Sequence, residues 1–179
     1  MRGIWQKDDS PAEAGPYAYP NVNMRPRPIQ PNGPPIWIGS WGSPAGLRRV
    51  GRIGDGWLAS AYNTTPEKFG QDWQALTDML PRFGKQAGAF SNALVTMFSY
   101  VTDDPREIDR AVRQKLGPAI GRTPEELAGK LLMGTAQECA HRVRSYAAAG
   151  VQRIFIWPAA DEIQQLRIFA ERVMPLAAR

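Results

Sequence analysis

Residues 34–58 read PPIWIGSWGSPAGLRRVGRIGDGWL. An apolar run ends in a turn of glycine and serine. A short basic segment then opens on Ser43-Pro44, and Gly54-Asp55-Gly56-Trp57 leads into a second apolar run. That order is a strand, a short helix and a second strand. A turn of this kind aims unpaired backbone N–H groups outward, and the helix start adds the positive end of its dipole. The combination suits a phosphate.

From Pro34 onward the same alternation repeats. Strands are expected at 36–39, 56–60, 94–101 and 151–158, each followed by a helical run, which is the pattern of a parallel sheet covered by helices. The helix starts carry a side-chain oxygen followed by proline, at Ser43-Pro44, Thr65-Pro66, Asp104-Pro105 and Thr123-Pro124. Capping-box spacing, or its aspartate variant, occurs at Asp104 and Glu107, Thr123 and Glu126, and Thr135 and Glu138. Pro81 should kink or end the run 66–87. Leu127, Leu131 and Leu132 are expected on one apolar helix face, and Val143, Tyr146 and Ala147 on another. Gly150 should stop its helix in the left-handed conformation. Residues 151–157 are apolar enough for a strand covered on both faces, and Ile163, Leu166, Ile168, Phe169 and Val173 should make the closing helix amphipathic.

Upstream, residues 11–35 hold half of the sixteen prolines together with Gly15 and Gly33. An irregular, extended connection is expected over 1–33 and a folded domain over 34–179. Partial alternation at Tyr17, Tyr19, Val22 and Met24 suits a segment lying on a surface.

The chain of 179 residues is 43% hydrophobic and 22% charged, ordinary for one globular domain. No run of 18 or more apolar residues is present and the start lacks a secretory core, so neither a membrane span nor export is expected. Cys139 is the only cysteine, read as a buried thiol in a reducing cytoplasm, and His141 the only histidine, so no zinc cluster is expected. The net charge of +5 favours anionic partners. The basic residues are scattered, without interleaved aromatics or a known motif, which argues against nucleic acid.

Two blocks carry a family likeness: Pro34-Pro35-Ile36-Trp37-Ile38-Gly39 with Gly54-Asp55-Gly56-Trp57-Leu58, and residues 133–158, MGTAQECAHRVRSYAAAGVQRIFIWP. They resemble the bacterial luciferase-like oxidoreductases that use flavin or the deazaflavin F420, and the start MRGIWQKDD resembles a helix of that family lying after its fourth strand. The resemblance implies an α/β fold made of parallel strands, about four βα units forming the C-terminal half of a TIM (β/α)8 barrel. A whole barrel usually needs about 250 residues. A lone half barrel exposes two sheet edges and its inner face, so self-association as a homodimer, or docking with a separate N-terminal half, is expected.

Active sites of such barrels lie at the C-terminal strand ends, which here are Gly39-Ser40-Trp41-Gly42-Ser43, Ser60-Ala61-Tyr62, Thr102-Asp103 and Trp157-Pro158. The resemblance implies that the turn Gly39, Ser40, Trp41 and Gly42 contacts the phosphate of FMN or coenzyme F420 through its backbone. Ser40 and Trp41 depart from the usual pattern there. Arg48 and Arg49 could reach an anionic tail but read first as a solvated outer face, Asp55 reads as a turn organiser, and Trp37, Trp57, Phe155 and Trp157 mainly as core, with Trp157 able to line a pocket. No nucleophile pairs with a base, and no catalytic residue is assigned. Three functions fit: an oxidoreductase of monooxygenase or hydride-transfer type acting on a small organic substrate; a non-catalytic phosphate- or flavin-binding or oligomerisation module; and a structural relic.

Overall fold

A computed structural model describes residues 2–6, 10–12, 19–22, 25–127 and 129–178. The chain divides into two compact units, Met1–Ile36 and Trp37–Arg179. The first holds α1 (Arg2–Gln6) and an antiparallel ribbon of β1 (Ser10–Ala12) and β2 (Tyr19–Val22). α1 falls on the start that resembles a family helix, while the ribbon stands within the Pro-rich stretch expected to be irregular. Of the four alternating positions in that stretch, Tyr17 and Met24 lie outside the described residues.

The second unit is a five-stranded, wholly parallel sheet with helices packed on it. Its elements alternate as the local signals require. β3 (Trp37–Gly39) is followed by α2 (Pro44–Ile53), β4 (Gly56–Ser60) by α3 (Pro66–Met79), and β5 (Ser91–Val101) by α4 (Pro105–Ala111). Short α5 (Gly117–Ile120) and α6 (Pro124–Leu127) lead to β6 (Leu132–Gly134) and α7 (Ala136–Ala148). β7 (Ile154–Pro158) then feeds α8 (Glu162–Ile168) and α9 (Met174–Ala177).

The caps follow the sequence closely. Ser43, Thr65 and Asp104 accept from the N–H groups of Gly46, Lys68 and Arg106, and Thr135 forms a full capping box with Glu138. Such a cap typically contributes about 1 kcal/mol. Pro81 ends α3 in a 3₁₀ turn, Leu80–Phe83, because it cannot continue the helical ladder.

In register, Gly39 stands beside Leu58, Ser60 beside Val95, and Phe98 beside Trp157. Trp57, Ala59, Leu94 and Met97 are buried in a core shared with Leu47, Val50, Phe69, Leu76 and Tyr146. The parallel α/β sheet is the one the alternation implied, and its βα units fit the half barrel that the family resemblance implied.

Three expectations needed correction. Leu127, Leu131 and Leu132 do not share a helix face: the helix stops at Leu127, Leu131 lies in the bend beyond it, and Leu132 opens β6 against the end of β5. A three-residue strand is too short to show a period. β7 is covered on one face only, since Ile154 and Ile156 pack on the core while Phe155 and Trp157 remain 50% and 47% exposed. Trp157 meets the Phe98 ring edge-on, and both β7 rings keep about half their surface exposed. In the closing helix, Gln165, Phe169 and Val173 are buried while Ile163 and Leu166 are exposed. A π-helical turn, Phe169–Val173, follows α8 and shifts the spacing of the buried face.

Candidate functional site

β3 ends at Gly39, and the Ser40 N–H continues the ladder by donating to the Leu58 carbonyl at 3.1 Å. The Ser40 carbonyl is held from the other side by the Trp57 indole Nε1–H at 3.0 Å. Trp57 cannot swing away, because it is stacked on Phe69 at 5.0 Å and lies nearly parallel to Trp73 at 6.4 Å. The buried tryptophan of the Gly-Asp-Gly-Trp block thereby fixes the turn of the preceding βα unit.

Beyond Ser40 the chain reverses through Gly42. Its φ of +87° and an Asp72 carboxylate 1.9 Å from any added Cβ leave room for glycine alone. The Gly42 N–H approaches Ser40 Oγ at 3.4 Å, and Ser43 Oγ caps α2 through the Gly46 N–H at 3.2 Å. Gly46 is a second required glycine, since a Cβ there would sit 2.2 Å from Ser40 Oγ. That close approach draws the first turn of α2 onto the strand end. It joins residues six apart, so only the fold shows why Gly46 belongs to the turn.

This turn forms one wall of a cleft of about 360 Å³ at the C-terminal ends of β3 and β4, beside the middle of β5. Gly39, Ser40, Trp41, Ser43, Gly46 and Arg49 line one side, and Leu58, Ser60, Tyr62, Val95 and Thr96 the other. In front of Gly39 an added Cβ would meet nothing within 4 Å. Trp41 is 65% exposed. Arg49 faces the cleft rather than an outer face, which corrects the reading from sequence, while Arg48 lies outside the lining. Gly42 is buried behind the turn and shapes it without lining the cleft.

Ser60 and Tyr62 join the same cleft, and Tyr62 continues into an aromatic row. Its ring lies 6.5 Å from Phe98, which meets Trp157 edge-on at 5.6 Å. Thr102 and Asp103 stand apart, in a polar cleft of about 680 Å³ with Tyr100, Glu107, Asp161 and Arg172. Burial, then Glu107 and Asp161 nearby, raises the Tyr100 hydroxyl above its ordinary value. Asp55 immediately precedes β4, at the end away from the cleft.

Thr96 is the cleft residue that sequence reasoning missed. A threonine inside an apolar strand gives no signal of its left-handed φ of +57°. Cys139 is buried, and that burial pushes its thiol up to about 11, which makes it a poor nucleophile. Among the described residues no group of three His, Cys, Asp or Glu could hold a metal, and no helix is long and apolar enough to cross a membrane.

A family model described as luciferase-like monooxygenase matches residues 1–153. No curated protein matches the chain. Among solved structures it is similar to the monooxygenase RslO1 from Streptomyces bottropensis, at a TM-score of 0.73 and 21% identity over 97% of this chain and 57% of the other. An F420-dependent secondary alcohol dehydrogenase, solved with an F420-acetone adduct, gives 0.81 and 16% over 99% and 58%. The oxygenating constituent of a 3,6-diketocamphane monooxygenase of Pseudomonas putida, solved with FMN, gives 0.64 and 14% over 98% and 60%. The chain therefore spans less than two thirds of the length of these structures. With its parallel βα units and a match over most of its length, it belongs to the luciferase-like monooxygenase family.

Proposed function

We propose that the chain supplies the cofactor-tail site of a luciferase-like oxidoreductase, monooxygenase or hydride-transferring, that acts with reduced FMN or F420 on a small organic substrate in the cytoplasm. The observation that carries this reading is the cleft at the strand ends, where the Ser40–Gly42 turn and the start of α2 converge with Arg49. The donor set fits a phosphate. Pro44 has no N–H and the Gly46 N–H is taken by Ser43 Oγ, so the donors at the turn are the Trp41, Ser43 and Ala45 N–H groups, beside a positive helix dipole and the permanent charge of Arg49.

Within this reading Gly39 leaves space for close approach, Ser43 and Gly46 orient the helix start, and Arg49 neutralises the anion. Tyr62, Phe98 and Trp157 offer an apolar aromatic wall beside it that excludes water. The cofactor supplies the redox chemistry when bound, and the protein positions it.

The reading includes assembly. β3 and β7 each pair along one edge only among the described residues, and Phe155 and Trp157 leave apolar surface exposed. Two copies about a two-fold axis, or this chain with a separate N-terminal half, would pair the edges and cover the rings. The test is titration of the chain with FMN and with F420, followed by flavin fluorescence and by molar mass. The expected result is micromolar binding accompanied by a defined assembly. Absence of binding to either cofactor overturns the reading.

One observation favours a second reading, a binding module without turnover. The ionisable side chains on the cleft lining are Arg49 and Tyr62, with no carboxylate or imidazole beside them. Cofactor binding with no turnover after assembly would select it.

A further inference from the structure

After α4 the helix widens into a π turn, Val112–Leu116, in which the Gly117 N–H donates to the Val112 carbonyl. In an α-helix, residues five apart lie about 140° from each other around the axis, whereas a π turn returns them to one side. Arg110 and Lys115 accordingly line the same cavity, of about 160 Å³, together with Tyr100, Glu107 and Asp161. Arg113, between them, takes another direction and pairs with Asp109 at 2.6 Å and Glu125 at 3.7 Å.

The cavity thus holds two cations and two carboxylates, and among the described residues no ion pair joins any of the four. Glu107 and Arg110 stand one helical turn apart, where opposite charges ordinarily meet. Each carboxylate is held by one hydroxyl: Thr102 donates to Glu107 Oε2 at 2.7 Å, and Tyr100 donates to Asp161 Oδ2 at 3.4 Å. Burial, then Glu107 and Asp161, raises the Tyr100 hydroxyl, so it stays a donor. The second oxygen of each carboxylate remains open to a further donor. Nothing among the described residues accepts from the Arg110 or Lys115 side chains, which can only donate.

We propose that this cavity binds a small zwitterion of the amino acid type. Arg110 and Lys115 hold its carboxylate, and Glu107 and Asp161 hold its ammonium group. An ion of one sign would meet as many like charges as unlike ones, whereas a ligand carrying both signs satisfies all four. Tyr100 follows Phe98 by two residues along β5 and so stands on the sheet face of the aromatic row, while Asp161 follows β7. The site lies at the C-terminal strand ends, the end at which (β/α)8 barrels bind substrates. None of its five residues lines the cleft of the Ser40–Gly42 turn, so the inference goes beyond the cofactor reading and does not need it.

The test is titration of the full chain, without cofactor, with L-alanine and with its two singly charged shape analogues, isobutyrate and isopropylamine. Amide chemical shifts in the NMR spectrum report binding at the cavity. L-alanine binds about tenfold more tightly than either analogue, and the amides of Tyr100, Glu107 and Lys115 move. Arg110→Gln with Lys115→Gln brings L-alanine within about twofold of isopropylamine, and Glu107→Gln with Asp161→Asn brings it within about twofold of isobutyrate. Arg113→Gln keeps the preference. Asparagine tolerates the φ of +50° at position 161, and unmoved amides away from the cavity show that each variant is folded. Equal affinity of the native chain for L-alanine and isobutyrate, a preference that survives loss of both cations, or no shift at the cavity with any of the three overturns the inference. FMN and F420 binding is read in a separate titration, and its failure leaves this site standing.

Discussion

The Trp57 indole N–H donates to the Ser40 carbonyl at 3.0 Å, across 17 residues of sequence and from one βα unit to the one before it. A core residue thereby controls the geometry of a surface turn. Trp57→Phe keeps most of the stack on Phe69 and removes the bond, leaving a buried carbonyl unpaired. The expected cost is about 1–3 kcal/mol in urea unfolding, with weaker cofactor binding. An unchanged denaturation midpoint and affinity would show that the bond contributes nothing.

Arg49 and Arg48 adjoin in α2, yet only Arg49 lines the cleft. Arg49→Ala is expected to weaken FMN or F420 binding by about tenfold or more, the value of one charge-assisted hydrogen bond, and to flatten its salt dependence. Arg48→Ala should leave both within about twofold. Titration at two salt concentrations reads both variants.

Gln165 of α8 behaves as an extra strand segment. Its Oε1 accepts from the Val101 N–H at 2.6 Å and its Nε2 donates to the Val101 carbonyl at 3.2 Å, in a buried setting. Gln165→Ala strands both backbone groups of the β5 terminus. A loss of about 2–4 kcal/mol is expected by denaturant unfolding, well above that of an ordinary surface substitution.

Burial raises the Cys139 thiol from its ordinary 9.0 to about 11 and the Tyr146 hydroxyl from 10.0 to about 12. Both groups are neutral in the fold and ionise earlier once unfolded. Their stabilisation is therefore complete below pH 9 and is lost as pH rises from 9 to 12. Unfolding free energies measured from pH 8 upward should fall in that window, and Cys139→Ala should remove the part beginning at pH 9. At pH 8 a thiol reagent should modify Cys139 only at the rate of unfolding.

Phe155 projects from β7 with half its surface exposed, where the proposed assembly would bury it. Phe155→Lys should reduce the assembled species to a monomer in light scattering and weaken cofactor binding in parallel. A native chain that is monomeric at high concentration, and that binds cofactor as such, would count against assembly.

The order of strands and helices, the caps at Ser43, Thr65, Asp104 and Thr135, and the stop at Pro81 were all legible in the chain. Each depends on a proline ring or on a side-chain oxygen within three residues of the N–H it satisfies, so neighbouring residues suffice to specify it. The position of the strand-to-helix turn at Gly39–Gly42 was legible for the same reason. The composition of the cleft was not. Arg49 turns toward it, Gly46 meets Ser40, Trp57 holds Ser40 and Thr96 takes its kink only when distant segments pack. β6 and the exposed rings of β7 depend in the same way on which faces the helices reach. Short-range sterics and hydrogen bonding wrote the elements into neighbouring residues, whereas burial and pairing between segments as many as 82 residues apart assigned each side chain its surroundings.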